Sequence, residues 1–225
     1  MHRGRGFQAG GEAMPISAPS RLRRLLERPE ILVAPGAFSA LSALLIARAG
    51  FEAVYLTGYG ASADLLGCPD VGLLTMTEMA NHAARLVSAV EIPVVADADT
   101  GYGNVLNVRR TIQEYERAGV AGVQLEDQVF PKRCGHMAGK AIISADEMAR
   151  KIEVACETRV NPDLVIIART DARAVMGLGE ALRRAKVYSE AGADVIFVEA
   201  PESVEELREI AACTVSHCFD RLVSD

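Results

Sequence analysis

The sequence predicts an α/β fold, a (β/α)8 barrel of the TIM type that is truncated after about six βα units. Three observations predict it. From residue 31 onward, short apolar runs alternate with longer amphipathic runs, as strands and helices do when they take turns. The strand runs are apolar throughout, the pattern of a parallel sheet covered by helices. Finally, strand after strand carries its polar groups at the C-terminal end: Tyr55 and Thr57, Asp97 and Asp99, Glu126, Arg169 and Asp171, then Glu199. A doubly wound open sheet gathers such groups at one switch point, whereas a barrel builds its site from many strand ends.

The elements follow in order. Residues 1–19 begin with "MHRGRGFQAGGEA", which is Gly-rich, without periodicity, and followed by a second methionine, Met14. They are expected to form a disordered extension, with the start codon at Met1 or at Met14. The barrel domain is placed at 20–212. Its strands are "ILVAPGA" from 31, "AVYLTG" from 53, "PVVADAD" from 93, "GVQLED" from 122, "LVIIARTD" from 164 and "VIFVEA" from 195. Helices are expected over 39–49, 76–90, 105–118, 145–158, 179–190 and 203–212, several ending at a glycine suited to a C-cap, as in "RAG" and "EAGAD". Residues 213–225, "CTVSHCFDRLVSD", are weakly patterned and are assigned to an atypical tail. "TVSHCF" is a poor candidate for a seventh strand because of His217 and the two cysteines at 213 and 218. A closed barrel needs two further βα units, so a truncated or frameshifted C-terminus is the simplest expectation.

Composition narrows the function. The 225 residues are half apolar and carry a net charge of -6 with no cationic stripe, which argues against nucleic acid as a partner. Five widely spaced cysteines without a CxxC pair suit a reducing cytoplasm. Neither a secretory h-region nor a membrane-spanning run is present in the sequence, so no membrane partner is expected.

"DADTGYG", 97 to 103, is the strongest chemical signal. Residues two apart in a strand face one side, so Asp97 and Asp99 project together and offer hard oxygen ligands beside flexible backbone. Mg2+ or Mn2+ suits them, with Glu126 as a third oxygen, direct or through water. Capping of the next helix is the alternative. Arg169 suits a bidentate grip on a substrate carboxylate, the alternative being an internal ion pair with Glu199. "FPKRCGHMAGK", 130 to 140, follows the Glu126 strand and would hang over the barrel mouth as a glycine-hinged lid. Within it Lys132, Arg133 and His136 surround Cys134, cations that favour its thiolate and suit it to nucleophilic or proton-donor work; an incidental loop cysteine is the plainer reading. His82 is expected to be solvated or packed within its helix. "TGYGAS", 57 to 62, could present backbone donors to a phosphate or a carboxylate.

Together, "VYLTGYGAS", "CPDVGLLT", "VVADADTGYG", "VQLEDQVFPKRCGHMAGK", "IIARTDA" and "IFVEAP" resemble the isocitrate lyase and phosphoenolpyruvate mutase superfamily over roughly residues 20 to 210, and "KRCGH" resembles its lyase branch. The resemblance implies Mg2+ held by Asp97 and Asp99, with Glu126 partly through water. It implies a substrate carboxylate pocket shaped by Tyr55, Thr57, Gly58 and Tyr59 with Asp70 nearby, and substrate contacts from Arg169 and Glu199. Cys134 would be the general acid, with Lys132, Gly135 and His136 completing the closed lid. The reaction implied is cleavage of a 2-hydroxy di- or tricarboxylate, of 2-methylisocitrate or dimethylmalate type, to a 2-oxo acid and a dicarboxylate. Tyr59 stands where 2-methylisocitrate lyases usually have glycine, which narrows the pocket against that substrate. The alternatives are oxaloacetate decarboxylation or hydrolysis, phosphonomutase-type chemistry, and an inactive fragment. Relatives of this kind are homotetramers, so a homo-oligomer is expected.

Overall fold

The computed structural model of the protein describes residues 16–135, 137, 139–213 and 217–219. Seven parallel strands form one sheet in strict chain order: β1 (Gly36–Ala37), β2 (Val54–Leu56), β3 (Val94–Asp97), β4 (Gly122–Glu126), β5 (Val165–Thr170), β6 (Val195–Val198) and β7 (His217–Phe219). Helices fill the connections: α2 (Ala40–Arg48), α3 (Gly58–Leu66), α4 (Met76–Ala89), α5 (Val105–Arg117), α6 (Ala145–Thr158), α7 (Ala172–Met176), α8 (Leu178–Glu190) and α9 (Val204–Cys213), with α1 (Ala18–Leu26) ahead of the sheet. A sheet whose order never reverses winds in one direction, as barrels do and doubly wound sheets do not. Here it curves without closing, since β1 and β7 do not pair with each other among the described residues.

The alternation of each strand sorts its side chains into two layers. Val54, Leu56, Val94, Ala96, Val123, Leu125, Ile166, Ala168, Ile196 and Val198 pack outward against the helices in the larger core. Val95, Val165, Ile167, Val195 and Phe197 point inward and meet Leu22, with Tyr55 alongside. Helix α1 therefore plugs the interior from below. Asp97, Arg169 and Glu199 continue the inward rows at the C-terminal ends, which is why the polar groups gather at one mouth.

Three expectations change. The tail assigned to 213–225 contains a strand after all: β7 pairs parallel with β6, His217 opposite Val195 and Phe219 opposite Phe197. A pairing edge on β6 outweighs weak local pattern. Residues 18 and 19, given to the extension, begin α1, where Ser17 accepts a capping bond from the Ser20 amide and Pro19 sits in the first turn. "GYGAS", where no helix was expected, opens α3, with Thr57 as its N-cap. Residues 1–15 lie outside the described residues. Among the described residues no helix is long and apolar enough to cross a membrane.

Candidate active site

The mouth is built from strand ends and the loop after β4. A cavity of about 910 Å3 runs up the sheet interior, apolar below at Leu22, Val165 and Phe197, and polar above at Asp97, Lys132, Cys134 and Arg169. Six carboxyl groups are buried at or near its upper end, Asp70, Asp97, Asp99, Glu126, Asp171 and Glu199, and among the described residues they face three cations, Lys132, Lys140 and Arg169.

Asp97 and Asp99 come together as the sequence predicts, though not by strand alternation alone. The strand ends at Asp97, and Asp99 turns back with a positive φ of 47°. Asp97 Oδ1 accepts the Asp99 amide at 2.9 Å, and Asp97 Oδ2 accepts the Gly58 amide at 3.2 Å. Gly58 is required here: a β-carbon on it would lie 2.5 Å from Asp97 Oδ2 and 3.5 Å from Asp99 Oδ1. Burial, with Lys132 pulling down and Asp97 pushing up, brings the Asp99 carboxyl up to about 7.

Glu126 was expected to supply a third oxygen beside Asp97 and Asp99, directly or through water. No group of three or more His, Cys, Asp or Glu side chains is arranged to hold a metal among the described residues. Glu126 turns to Arg169, with Oε2 at 3.4 Å from Nε, while Oε1 is buried without a hydrogen-bond partner among the described residues. Burial drives its carboxyl well up the scale against the pull of Arg169.

Arg169 realises the ion-pair alternative. Its Nε and Nη2 donate to both oxygens of Asp171, each at 3.0 Å, and Nη1 lies 3.1 Å from Glu199 Oε2. The forked edge expected to hold a substrate carboxylate is thus occupied by Asp171, a residue that sequence reasoning placed at the strand end without giving it a task. The guanidinium also stands 5.4 Å from the Phe197 ring centre.

The described residues of the loop at 130–140 lie down on this mouth. Its neck is closed by a bridge between Gln128 and Ile142 and by the Val129 amide donating to Ala141 O at 2.8 Å. Lys132 is only 3% exposed and pairs with Asp70 Oδ2 at 2.6 Å and Asp99 Oδ1 at 2.9 Å. Burial works against that ammonium, but Asp99 and Asp97 outweigh it and hold its pKa above the ordinary value. Lys140 anchors the other end, donating to Gly135 O and pairing with Asp171 Oδ1, both at 2.8 Å. Between these anchors the half-buried Cys134 lines the cavity, its amide donating to Asp70 O at 3.1 Å. Gly135 lies so close to the strand ends that a β-carbon would overlap Glu199 Oε1 and come within 2.8 Å of Arg169 Nη2.

The remaining candidates divide. Tyr55 points inward and donates to Gln124 Oε1 at 2.9 Å. Thr57 lines the cavity while capping α3. Tyr59 is 58% exposed at the rim, so it borders the cavity rather than filling it. His136 lies outside the described residues. His82 is buried in α4 with Nε2 at 2.8 Å from Phe38 O, a packed helix residue as expected. Lys140 was missed as a site residue, although its place ten residues into a charged loop was the available signal.

A family model described as phosphoenolpyruvate phosphomutase matches residues 22–219. The chain belongs to that family. Within the family it is 57% identical over 195 residues to a 2,3-dimethylmalate lyase of Eubacterium barkeri, covering 87% of this chain and 68% of the relative. It is 50% identical over 198 residues to a 2-methylisocitrate lyase of Aeropyrum pernix, covering 88% and 63%. A solved 2,3-dimethylmalate lyase, described as a PEP mutase/isocitrate lyase superfamily member, superposes with a TM-score of 0.84 at 41% identity, over 88% of this chain and 67% of that one. An oxaloacetate acetylhydrolase bound to 3,3-difluorooxalacetate gives 0.86 at 39%, over 88% and 69%. The chain spans about two thirds of the length of these family members. The superfamily resemblance drawn from the motifs therefore holds, and so does the barrel-type fold.

Proposed function

We propose that the chain carries the site of a carbon–carbon lyase acting on a 2-hydroxy dicarboxylate or tricarboxylate, of the 2,3-dimethylmalate or 2-methylisocitrate type. The observation that carries this reading is the position of Cys134, held over the same cavity that Asp97 and Arg169 line, by a loop anchored at both ends on buried carboxylates.

Asp97 and Asp99 would hold Mg2+ or Mn2+. Among the described residues the fit rests on two adjacent buried carboxylates, an excess of acids over cations at the mouth, and a Glu126 oxygen without a hydrogen-bond partner; Mg2+ is content with one or two carboxylates and several waters. When bound, the ion would acidify the substrate 2-hydroxyl and polarise its carboxylate. Gly58 and Thr57 shape the carboxylate pocket beside Asp97. A substrate carboxylate gains the Nη1 edge of Arg169 by displacing Glu199. On cleavage the hydroxyl proton passes to a buried carboxylate of the mouth, for which the free Oε1 of Glu126 is the nearest fit among the described residues, the carbon–carbon bond breaks, and its electron pair passes to the departing carbon, which takes a proton from the Cys134 thiol. The Lys132 and Lys140 anchors hold that thiol over the cavity and keep water out. The same reading takes the enzyme as a cytoplasmic homo-oligomer with a small carboxylate as its ligand.

Oxaloacetate hydrolysis is the second reading, favoured by the likeness to oxaloacetate acetylhydrolase. An assay of 2-oxo acid release separates them. Dimethylmalate or 2-methylisocitrate should yield pyruvate only when Mg2+ is added, whereas acetate and oxalate from oxaloacetate would favour hydrolysis. No product from any of the three would overturn both. Gly58→Ala tests the ion site apart from turnover. Mg2+ should raise the melting temperature of the parent chain, and the methyl against Asp97 should remove most of that rise. An equal rise in the variant would count against Asp97 and Asp99 as ligands.

A further inference from the structure

Asp127 follows Glu126 directly, so it faces away from the mouth, into the layer between sheet and helices, where it is wholly buried. Buried acids there are uncommon unless fully partnered. This one is. Oδ2 accepts Thr170 Oγ1 at 2.7 Å, Tyr188 OH at 2.7 Å and Arg184 Nη1 at 3.0 Å, and Oδ1 accepts the Asp171 amide at 2.9 Å. Arg184 and Tyr188 stand one turn apart on the buried stripe of α8.

Two of these contacts lead to the Cys134 loop. The peptide of Ile143, at the loop's C-terminal base, is gripped from both sides: its amide donates to Asp127 O and its carbonyl accepts Arg184 Nη1, each at 2.9 Å. The Asp171 amide held by Asp127 belongs to the residue that binds Lys140, the loop's second anchor. None of these groups on the far side of the sheet lines the cavity.

We propose that the buried Asp127–Arg184 pair is a positioning device for the Cys134 loop. It fixes the loop base at Ile143 and the Asp171 carboxylate in one register, so that Lys140 and Gly135 meet Arg169 and Glu199 with Cys134 over the cavity. The proposal rests on the reading of 130–140 as a lid, but its test requires no turnover, so it can fail while the lyase reading stands.

The test is the rate at which iodoacetamide alkylates Cys134, followed peptide by peptide by mass spectrometry well below the melting temperature. Cys156 serves as an internal reference, being half-buried on α6 with its thiol pushed up to about 11, chiefly by burial. Arg184→Met removes the grip on Ile143 O and should raise the Cys134 rate about tenfold with Cys156 unchanged. Tyr188→Phe removes a bond to the same Asp127 oxygen and a 3.1 Å acceptor of Arg184 Nη1 but leaves the Arg184 bonds to Asp127 and Ile143 in place, and should leave the Cys134 rate within about twofold of the parent. If Arg184→Met does not fold, Arg184→Lys carries the test: its one nitrogen cannot bond Asp127 and Ile143 as Nη1 does while also holding Glu180 as Nε does, so a smaller rise of about threefold is expected. An unchanged Cys134 rate in the folded Arg184 variant, a parallel rise at Cys156, or an equal rise in Tyr188→Phe would each overturn the proposal.

Discussion

Arg169→Met is expected to cost the fold about 3–5 kcal/mol, because removing one partner of a buried ion cluster leaves its acids uncompensated. Asp171 would keep only Lys140, and Glu126 and Glu199 would lose the guanidinium altogether. Against a total stability of about 5–15 kcal/mol this is a large fraction, equivalent to a fall in melting temperature of about 6–20 °C. Thermal unfolding followed by circular dichroism measures it. Adding Glu199→Gln should recover part of the loss, because neighbours in one charge network do not behave additively. The pH dependence has a definite sign. Burial raises the Asp171 carboxyl, but Arg169 and Lys140 outweigh it and hold it below its ordinary value. A group depressed on folding contributes its stability above its unfolded pKa and loses it as pH falls through the folded one. The gap between parent and variant should therefore be widest near neutral pH and narrow below about pH 4. A melting temperature unchanged by Arg169→Met would show that the cluster is not closed as described.

Cys134→Ser should do the reverse, sparing the fold and stopping the reaction. The side chain is half-buried, no hydrogen bond of its sulfur is seen among the described residues, and serine is nearly isosteric, so stability should stay within about 0.5 kcal/mol. A hydroxyl is a far weaker acid than a thiol, and loss of a general acid lowers kcat by about 10²–10⁴-fold. The Mg2+-induced rise in melting temperature should survive, because Asp97 and Asp99 are untouched. Turnover equal to the parent's would remove the thiol from the mechanism.

The inward row of the barrel was legible in the sequence because polar residues at successive strand ends have one geometric meaning in a one-way parallel sheet. Asp97, Arg169 and Glu199 follow from the same alternation that buries Val95, Ile167 and Phe197. What those groups bind to was less legible. The partner of Lys132 is 62 residues away at Asp70, and no local pattern relates them. Arg169 was expected to face a substrate, yet Asp171 is two residues on and within reach of the same fork. Asp127 carried a signal that went unused: an acid one step past Glu126 must point to the helix side, where only a fully partnered carboxylate can stand. Helix α1 also had its signals, a capping serine and a first-turn proline, hidden by the unpatterned stretch before them. β7 had none of its own, since its place is given by the edge of β6.

Strict chain order also bears on how the molecule is made. Among the described residues each strand pairs only with the ones just before and after it, so these pairings need no partner encoded far along the chain. On the ribosome, where synthesis runs from the N-terminus, every new βα unit meets an edge already presented by its predecessor. Loop-closure entropy is met in short instalments, one helix length at a time, instead of across the whole chain. The mouth is assembled in the same sequence. The Asp97 and Asp99 carboxylates emerge before the Lys132 loop that covers them, and Arg169 and Asp171 arrive after it to fasten the other end.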